Sequence, residues 1–238
     1  MTRMKYAMAL ALALGVAAVP GWVGAKPAKD QVLTATSETA MIVVKSDFWQ
    51  PAPSMHSAYK LVFSAYNPVE EKLIGGPFAG GALIEAQKKK FVEGYLMVPI
   101  KAGHWVYVSY QQQDKWALCF NAASWQFDVK PGEVIYLGEF DAPAHRQQLT
   151  ERAILSGKTS ISGYGFADFF DLPDGPKLKV IDEPQLADVR AMLTRNAPLI
   201  TAPVHAAVYS AARFGTGSTL FAERKCGGYF ATGAKKKG

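Results

Sequence analysis

The stretch VKPGEVIYLGEF, residues 129–140, carries the pattern that decides the fold. Pro131 presets the backbone of the first corner of a tight turn, and Gly132 can adopt the positive φ of the second corner. The runs on either side, SWQFDV (124–129) and EVIYLGEF (133–140), are apolar or alternating and have the length of β-strands. The stretch is therefore predicted to be a turn and the strand that leaves it, with the flanking runs paired as a hairpin.

Strand-like runs repeat on both sides of this turn. Six of them lie between residues 82 and 140, separated by short polar connections: ALIEA, FVEGYLMVPI, HWVYVSY, WALCF, SWQFDV and EVIYLGEF. The earlier runs AMIVVKS and SAYKLVFSAYN also have strand character. Strands this closely spaced leave no room for the helical crossovers of parallel βαβ units. The sequence therefore predicts a mainly β fold, with an antiparallel β-sandwich over residues 40–140.

The remaining residues, 141–238, are predicted to form a mixed α+β extension packed on the sandwich within the same folding unit. EPQLADVRAMLTRN (183–196) has apolar residues at helical spacing, with Asp182 positioned as its N-cap. KLKVIDE (177–183) reads as one further strand.

Two other stretches of the extension are ambiguous. DAPAHRQQLTERA, which begins at Asp141, is polar and fits either a loop or one helical turn. Residues 203–213 fit either a helix or a strand, and their alanines favour a helix.

The N-terminus has the pattern of a secretory signal peptide over residues 1–25. Arg3 and Lys5 precede the apolar run AMALALALGVAAV, and small residues lead to a predicted cleavage after Ala25. A membrane anchor is the alternative, but Pro20 interrupts the apolar run before the roughly 20 residues that a bilayer requires. We therefore expect a periplasmic or secreted protein with no transmembrane segment after cleavage. Residues 26–39 are predicted to be a flexible leader.

The charge balance is mildly basic. The full chain carries a formal charge of +6, and removal of Arg3 and Lys5 with the signal peptide lowers it to +4. This value does not indicate a nucleic-acid partner, although two lysine triplets, at 88–90 and 235–237, allow a weak attraction to anionic surfaces.

The two cysteines, Cys119 and Cys226, are predicted to form a disulfide, because an exported chain meets an oxidising compartment. The alternative is a pair of separate thiols that are too far apart to meet.

Part of the chain resembles a known group of proteins. KAGHWVYVSY followed by FDVKPGEVIYLGEF, with its V-x-x-G-x-x-x-Y-x-G rhythm, is similar to uncharacterised exported β-sandwich proteins of Gram-negative bacteria. The resemblance spans residues 40–140 and implies a fold and a compartment. It implies no catalytic residues.

The residue types that carry chemistry are scattered. The four histidines stand singly, at spacings that do not place two imidazoles on one metal ion, so no metal site and no cofactor are predicted. Trp105, Trp116, Trp125 and Tyr107 fall on successive strand-like runs. If they share an exposed face, they form a stacking platform for a sugar or an apolar ligand; the alternative, which we favour, is that they fill the space between two sheets.

Three functions follow from these features. The favoured one is a non-catalytic exported envelope protein with a binding or structural role towards an envelope component that the sequence does not name. The first alternative is a carbohydrate or small-ligand binding module that uses the aromatic face. The second alternative is a hydrolase whose residues converge only in space, for which His104, His145 and Asp128 are the candidates.

Overall fold

The computed structural model describes residues 30–46, 59–74, 83–87, 91–112, 116–155 and 168–214. The strands of its first part are β1 (Thr39–Ser46), β2 (Tyr59–Asn67), β3 (Lys72–Ile74), β4 (Leu83–Gln87), β5 (Phe91–Val92), β6 (Tyr95–Lys101), β7 (Gly103–Gln112), β8 (Trp116–Cys119), β9 (Ser124–Val129) and β10 (Val134–Phe140). Its later elements are α1 (Ala142–Leu155), β11 (Asp168–Asp171), α2 (Glu183–Asn196), β12 (Val204–Ala206) and β13 (Ser210–Ala212).

The described strands form two sheets that pack face to face. The small sheet has the order β12-β10-β1-β6-β5. The large sheet has the order β11-β8-β7-β2-β3, with β4 also paired to β2, β9 to β7, and β13 to β9. The predicted mainly β sandwich is therefore confirmed. Three pairings, β1 with β10, β10 with β12 and β8 with β11, are parallel, so the sandwich is mixed and not antiparallel throughout.

The turn at Pro131 and Gly132 joins the two sheets, so the predicted hairpin is wrong. β9 pairs with β7 and β13 in the large sheet, whereas β10 pairs with β1 and β12 in the small sheet. Gly132 does adopt the expected positive φ, at 71°. A Cβ atom at Gly132 would lie 2.3 Å from the carbonyl oxygen of Ala35, so glycine is required there for space as well as for conformation.

Burial explains why β10 is not a hairpin strand. All but one of its residues are buried, whereas three of the six residues of β9 are accessible. A strand that is covered on both faces reads as a nearly continuous apolar run and suits the centre of a layered fold. VIYLGEF has this character, and it lies between the interior of the sandwich on one face and α2 on the other.

The core of the described ranges forms three clusters. The largest fills the space between the sheets, and its bulkiest members are Phe63, Tyr107, Tyr110, Phe120 and Phe140. A second lies under α2 on the outer face of the small sheet and includes Met41, Val43, Tyr136, Val189 and Met192. A third lies on the outer face of the large sheet and includes Val62, Val106, Val108, Cys119 and Phe214.

The region after β10 contributes strands to both sheets. β11 and β13 extend the large sheet, and β12 extends the small one. The helix predicted over 183–196 is confirmed as α2, with Asp182 as its N-cap. The preference for a helix over 203–213 is wrong, because β12 and β13 occupy this stretch and their edges pair with β10 and β9.

Two other stretches of the extension differ from expectation. The polar run after Asp141 forms the 14-residue helix α1, whose start is capped by the Asp141 carboxylate, which accepts from the amide of Ala144. The strand predicted over 177–183 is reduced to one antiparallel bridge between Leu178 and Phe140.

The expected flexible leader is anchored where the structure describes it. Leu33 is buried in the cluster under α2, forms a parallel bridge with Ile200, and donates its amide to the carbonyl oxygen of Leu199. Burial of a single leucine against a helix stabilises such a contact by roughly 1.5–3 kcal/mol. The predicted signal peptide at 1–25 and Cys226 lie outside the described residues.

Candidate functional site

An open groove of about 570 Å³ lies at the side of the sandwich, where the segment 176–181 faces the connection between β12 and β13. This groove is called the Trp125 groove below. Its lining consists of Trp125, Pro176, Lys177, Leu178, Lys179, Val180, Ile181, Ala206, Ala207 and Tyr209. Among the described residues the lining is mostly apolar, and Lys177 and Lys179 supply its charged side chains. A concave apolar site with few polar groups is the usual form of a ligand or peptide site.

Trp125 is held in a fixed orientation at the base of the groove. It lies on β9, where its indole Nε1 donates a hydrogen bond of 3.0 Å to the carbonyl oxygen of Pro176. The residue remains 36% exposed, unlike the other described tryptophans. Gly175 leaves room for the indole, since a Cβ atom there would lie 3.3 Å from Nε1. The indole is therefore pre-organised and still accessible to a partner.

Tyr209 forms the second aromatic wall. Its ring centroid lies 6.5 Å from that of Trp125, with the ring planes tilted by 49°. The hydroxyl donates to the carbonyl oxygen of Leu137 at 2.7 Å and lies 3.3 Å from the hydroxyl of Tyr107. The pKa of Tyr209 is raised well above its usual value, mainly because the phenol is buried and to a smaller extent because Tyr107 lies beside it. The phenol therefore stays neutral and braces the ring against β10.

The segment 176–181 is held against β10 by backbone contacts. Asp141 donates its amide to the carbonyl oxygen of Lys177 at 3.0 Å, and Lys179 donates its amide to the carbonyl oxygen of Glu139 at 2.9 Å. Gly138, with a φ of 83°, allows this close approach, because a Cβ atom there would lie 3.1 Å from the carbonyl oxygen of Lys179. The lysine side chains remain exposed beside the groove.

The two lysines differ in their acidic neighbours. Lys179 Nζ lies 2.5 Å from Glu139 Oε1. Lys177 forms no ion pair within the described part of the chain. The groove therefore carries a positive edge that its own residues only partly neutralise.

Three of the four residues predicted to form an aromatic platform lie elsewhere. Trp105, Trp116 and Tyr107 are buried in the cluster between the sheets, where Trp105 Nε1 donates to the carbonyl oxygen of Lys101 at 2.9 Å. Trp125 alone of the four is accessible. The shared exposed face is therefore wrong, and the alternative, that large aromatic side chains fill the inter-sheet space, holds for these three residues.

The structure brings two of the three hydrolase candidates, His104 and Asp128, into contact. His104 on β7 and Asp128 on β9 are paired across the two strands, and His104 Nδ1 is in hydrogen-bond contact with Asp128 Oδ1 at an exposed site. A histidine oriented by a carboxylate is two thirds of a hydrolytic triad. No hydroxyl or thiol contacts this histidine in the ranges that the structure describes, and no cluster of three metal-ligating side chains occurs there.

His145 has a structural role. The fully buried imidazole lies on α1, where Nε2 accepts the amide of Lys177 at 2.9 Å and Nδ1 lies 2.7 Å from Gln148 Oε1. These partners fix a neutral ring that donates from Nδ1. Burial lowers the pKa of His145 from 6.5 to about 4. The ring also stacks on Phe140, with centroids 4.8 Å apart. His145 is thus the support that holds Lys177, and with it one wall of the groove.

The sequence interpretation missed Tyr209, Lys177 and Lys179 as site residues. One signal for the lysines was present, since Lys177-Leu178-Lys179-Val180 alternates charge and apolar character as an edge strand does. Tyr209 had no comparable signal, because it lies in the stretch whose conformation the sequence left open.

Comparison with known proteins identified no relative: no protein family, no curated protein and no solved structure matches this chain. Neither α1 nor α2, the helices of the described ranges, has the length and apolar character that crossing a membrane requires.

Proposed function

We propose that this protein is an exported, non-catalytic binding protein of the bacterial envelope and that the Trp125 groove is its binding site. Export is supported by the signal-peptide pattern of residues 1–25 and by the resemblance of residues 40–140 to exported β-sandwich proteins. The observation that carries the binding role is Trp125 itself. Its indole is fixed by Pro176 and yet exposed in an apolar groove, beside two exposed valines, Val180 and Val208.

An exposed apolar surface of this kind has a cost in water unless a partner covers it at least part of the time. Val180 is 88% exposed and Val208 is 86% exposed. Trp125, which lines the groove together with Val180, belongs to a residue type that often anchors interfaces. The valines are therefore expected to be the first positions that a partner touches.

The chemistry of the groove lining also favours a protein partner over a neutral sugar. Sugar sites add several hydrogen-bonding side chains to the aromatic surface. Apart from the lysines, the polar groups of the described lining belong to the backbone, to the indole N–H of Trp125, which already donates to Pro176, or to the hydroxyl of Tyr209, which already donates to Leu137. This composition favours a partner that pairs with backbone groups over a neutral carbohydrate.

Site-specific photo-crosslinking tests the binding role. The full-length protein is exported in a Gram-negative host with a benzoylphenylalanine at position 180 or 208, or at position 69 as a control. Val69 is also apolar and highly exposed, at 91%, but it lies in the turn between β2 and β3, whereas Val180 lines the groove and Val208 lies between the lining residues Ala207 and Tyr209. We expect a discrete adduct from positions 180 and 208, reduced at least fivefold by Trp125→Ala, and none from position 69. Equal labelling at all three positions, or adducts that are indifferent to Trp125→Ala, would refute the proposal.

A further inference from the structure

The segment 176–181 bonds to β10 along one edge, and its other edge faces the Trp125 groove. The backbone groups of Lys177 and Lys179 point towards β10, where they bond to Asp141 and Glu139. In an extended chain the groups of alternate residues point the other way. Pro176 confirms this direction, since its carbonyl oxygen accepts from the Trp125 indole on the groove side.

Leu178 and Val180 therefore present their backbone groups to the groove. Neither residue forms a backbone hydrogen bond at these groups within the described ranges. An edge with free donors and acceptors is a template for another strand, and natural proteins usually blunt such edges with lysine. Here the lysines are present, but the edge borders an open groove, which leaves space beside it for another segment.

The side chains along this edge alternate in character. Lys177 and Lys179 are exposed, while Leu178 packs against the cluster between the sheets. The side chains of an added strand would follow the same alternation, because side chains of paired strands share faces. One face of the added strand would meet the lysines, and the other would meet the apolar lining of the groove at Trp125 and Tyr209.

We propose that the Trp125 groove binds an extended segment of a partner protein with alternating acidic and apolar residues, which adds as a strand to the Leu178–Val180 edge. This assignment rests on the proposed function and names the chemistry of its partner. The backbone of the bound segment would pair with Leu178 and Val180, its acidic side chains would lie beside Lys177 and Lys179, and its apolar side chains would fill the groove. Strand addition of this type takes its affinity from main-chain hydrogen bonds and its specificity from alternate side chains.

Fluorescence anisotropy with a defined probe tests the assignment. The probe is a fluorescein-labelled eight-residue peptide of alternating Glu and Val, with two variants: one in which Lys replaces Glu, and one N-methylated at alternate residues on its pairing edge. We expect the acidic probe to bind and to weaken as salt is raised, since exposed charges are screened. The lysine probe and the N-methylated probe should bind at least about tenfold more weakly.

Protein variants then test the edge and the charge separately. Val180→Pro removes the outward amide and should lower the affinity for the acidic probe about tenfold. Val180→Ala keeps the amide and should lower this affinity by less than half as many fold. Lys177→Glu should lower the affinity for the acidic probe and raise the affinity for the lysine probe. The N-methylated probe tests strand pairing on the unmodified protein and does not depend on the folding of any variant.

The outcomes separate the two proposals. Binding of the acidic probe that N-methylation and Val180→Pro leave unchanged would overturn strand addition. No binding of any probe, together with adducts at positions 180 and 208 that require Trp125, would refute the peptide assignment and leave the binding role intact. Crosslinking that is indifferent to Trp125→Ala would overturn both.

Discussion

His145 shows how a single buried residue can set a condition for stability. Its imidazole is fully buried, stacks on Phe140 and is hydrogen-bonded at both nitrogens. A neutral ring satisfies the amide of Lys177, whereas a protonated ring would replace that acceptor with a second donor. Asp141 and Lys177 are the charged groups whose fields act on it, and the field of Lys177 also disfavours the protonated form.

We predict that this histidine makes the protein less stable in mild acid. The pKa is lowered from 6.5 to about 4, so between these values the unfolded chain binds a proton that the folded chain does not. Stability from this residue is therefore complete above pH 6.5 and is lost as the pH falls towards 4, by up to about 3 kcal/mol. Urea unfolding at a series of pH values measures it.

The matched control is His145→Gln, which keeps an acceptor for Lys177 and cannot titrate in this range. The variant should lose less stability than the wild type between pH 6.5 and pH 4, because the other titrating groups are common to both proteins. Parallel curves for the two proteins would show that His145 is not the responsible group.

The tryptophans of the strand-like runs show which parts of the site could and could not be predicted from the sequence. Trp105, Trp116 and Trp125 occupy similar strand-like runs, and nothing local distinguishes them. The difference arises from partners distant in sequence, since Trp105 and Trp116 face the opposite sheet while Trp125 is capped by Pro176, 51 residues away. Strand assignment was therefore predictable, but the exposed tryptophan was not.

At the scale of elements, α2 is the clearest case of local signals deciding structure. Asp182 Oδ1 accepts from the amide of Gln185 at 2.9 Å, and Pro184 lies in the first turn. The residues at helical spacing, Val189 and Leu193 among them, are buried against the small sheet. Both the cap and the apolar stripe could be read from sequence, because they lie within a few residues of one another.

We predict that Asp182→Ala lowers the free energy of unfolding by about 1 kcal/mol, because the first turn of α2 loses its side-chain acceptor. Asp182→Asn is the matched control, since asparagine keeps the accepting oxygen and should cost only a few tenths of this amount. Thermal or urea unfolding followed by circular dichroism measures both. Equal losses in the two variants would indicate that charge, and not the cap, is what Asp182 supplies.

The elements that were predicted wrongly are short or depend on distant pairing. Residues 203–213 contain two three-residue strands. A run this short is not enough for the spacing of apolar residues to distinguish a strand from a helix. The segment 177–181 has the alternation of a strand, but β12 occupies the adjoining part of β10, so only one bridge forms. α1 has a polar sequence, and its helical signal was limited to Ala142, His145 and Leu149, which all face the core.

At the scale of the whole molecule, β10 organises the layers. It separates the inter-sheet cluster from the cluster under α2, and its partners come from both ends of the described chain, β1 and β12. The turn that precedes it was correctly predicted at Gly132, but a two-residue turn does not specify whether the next strand returns to the same sheet. That choice is made by burial on both faces of β10, which is a property of the assembled fold.

The third cluster, on the outer face of the large sheet, leads to the last prediction. Cys119 is fully buried there together with Phe214, the final described residue. Cys226 lies twelve residues further along the chain, and a segment of that length can span up to about 40 Å. The chain therefore leaves the described structure on the same face as Cys119, with enough length for Cys226 to return to it.

We predict that the protein forms a Cys119–Cys226 disulfide in an oxidising compartment and that this bond stabilises it by about 4–5 kcal/mol, because it closes a loop of about a hundred residues in the unfolded chain. Mass spectrometry of a non-reduced digest should find the linked peptides. Unfolding in urea with and without reductant should show the loss, and Cys226→Ser, which leaves the buried Cys119 in place, should match the reduced wild type. Two cysteines that alkylate fully in denaturant without reductant would contradict the prediction, and the third cluster would then depend on packing alone.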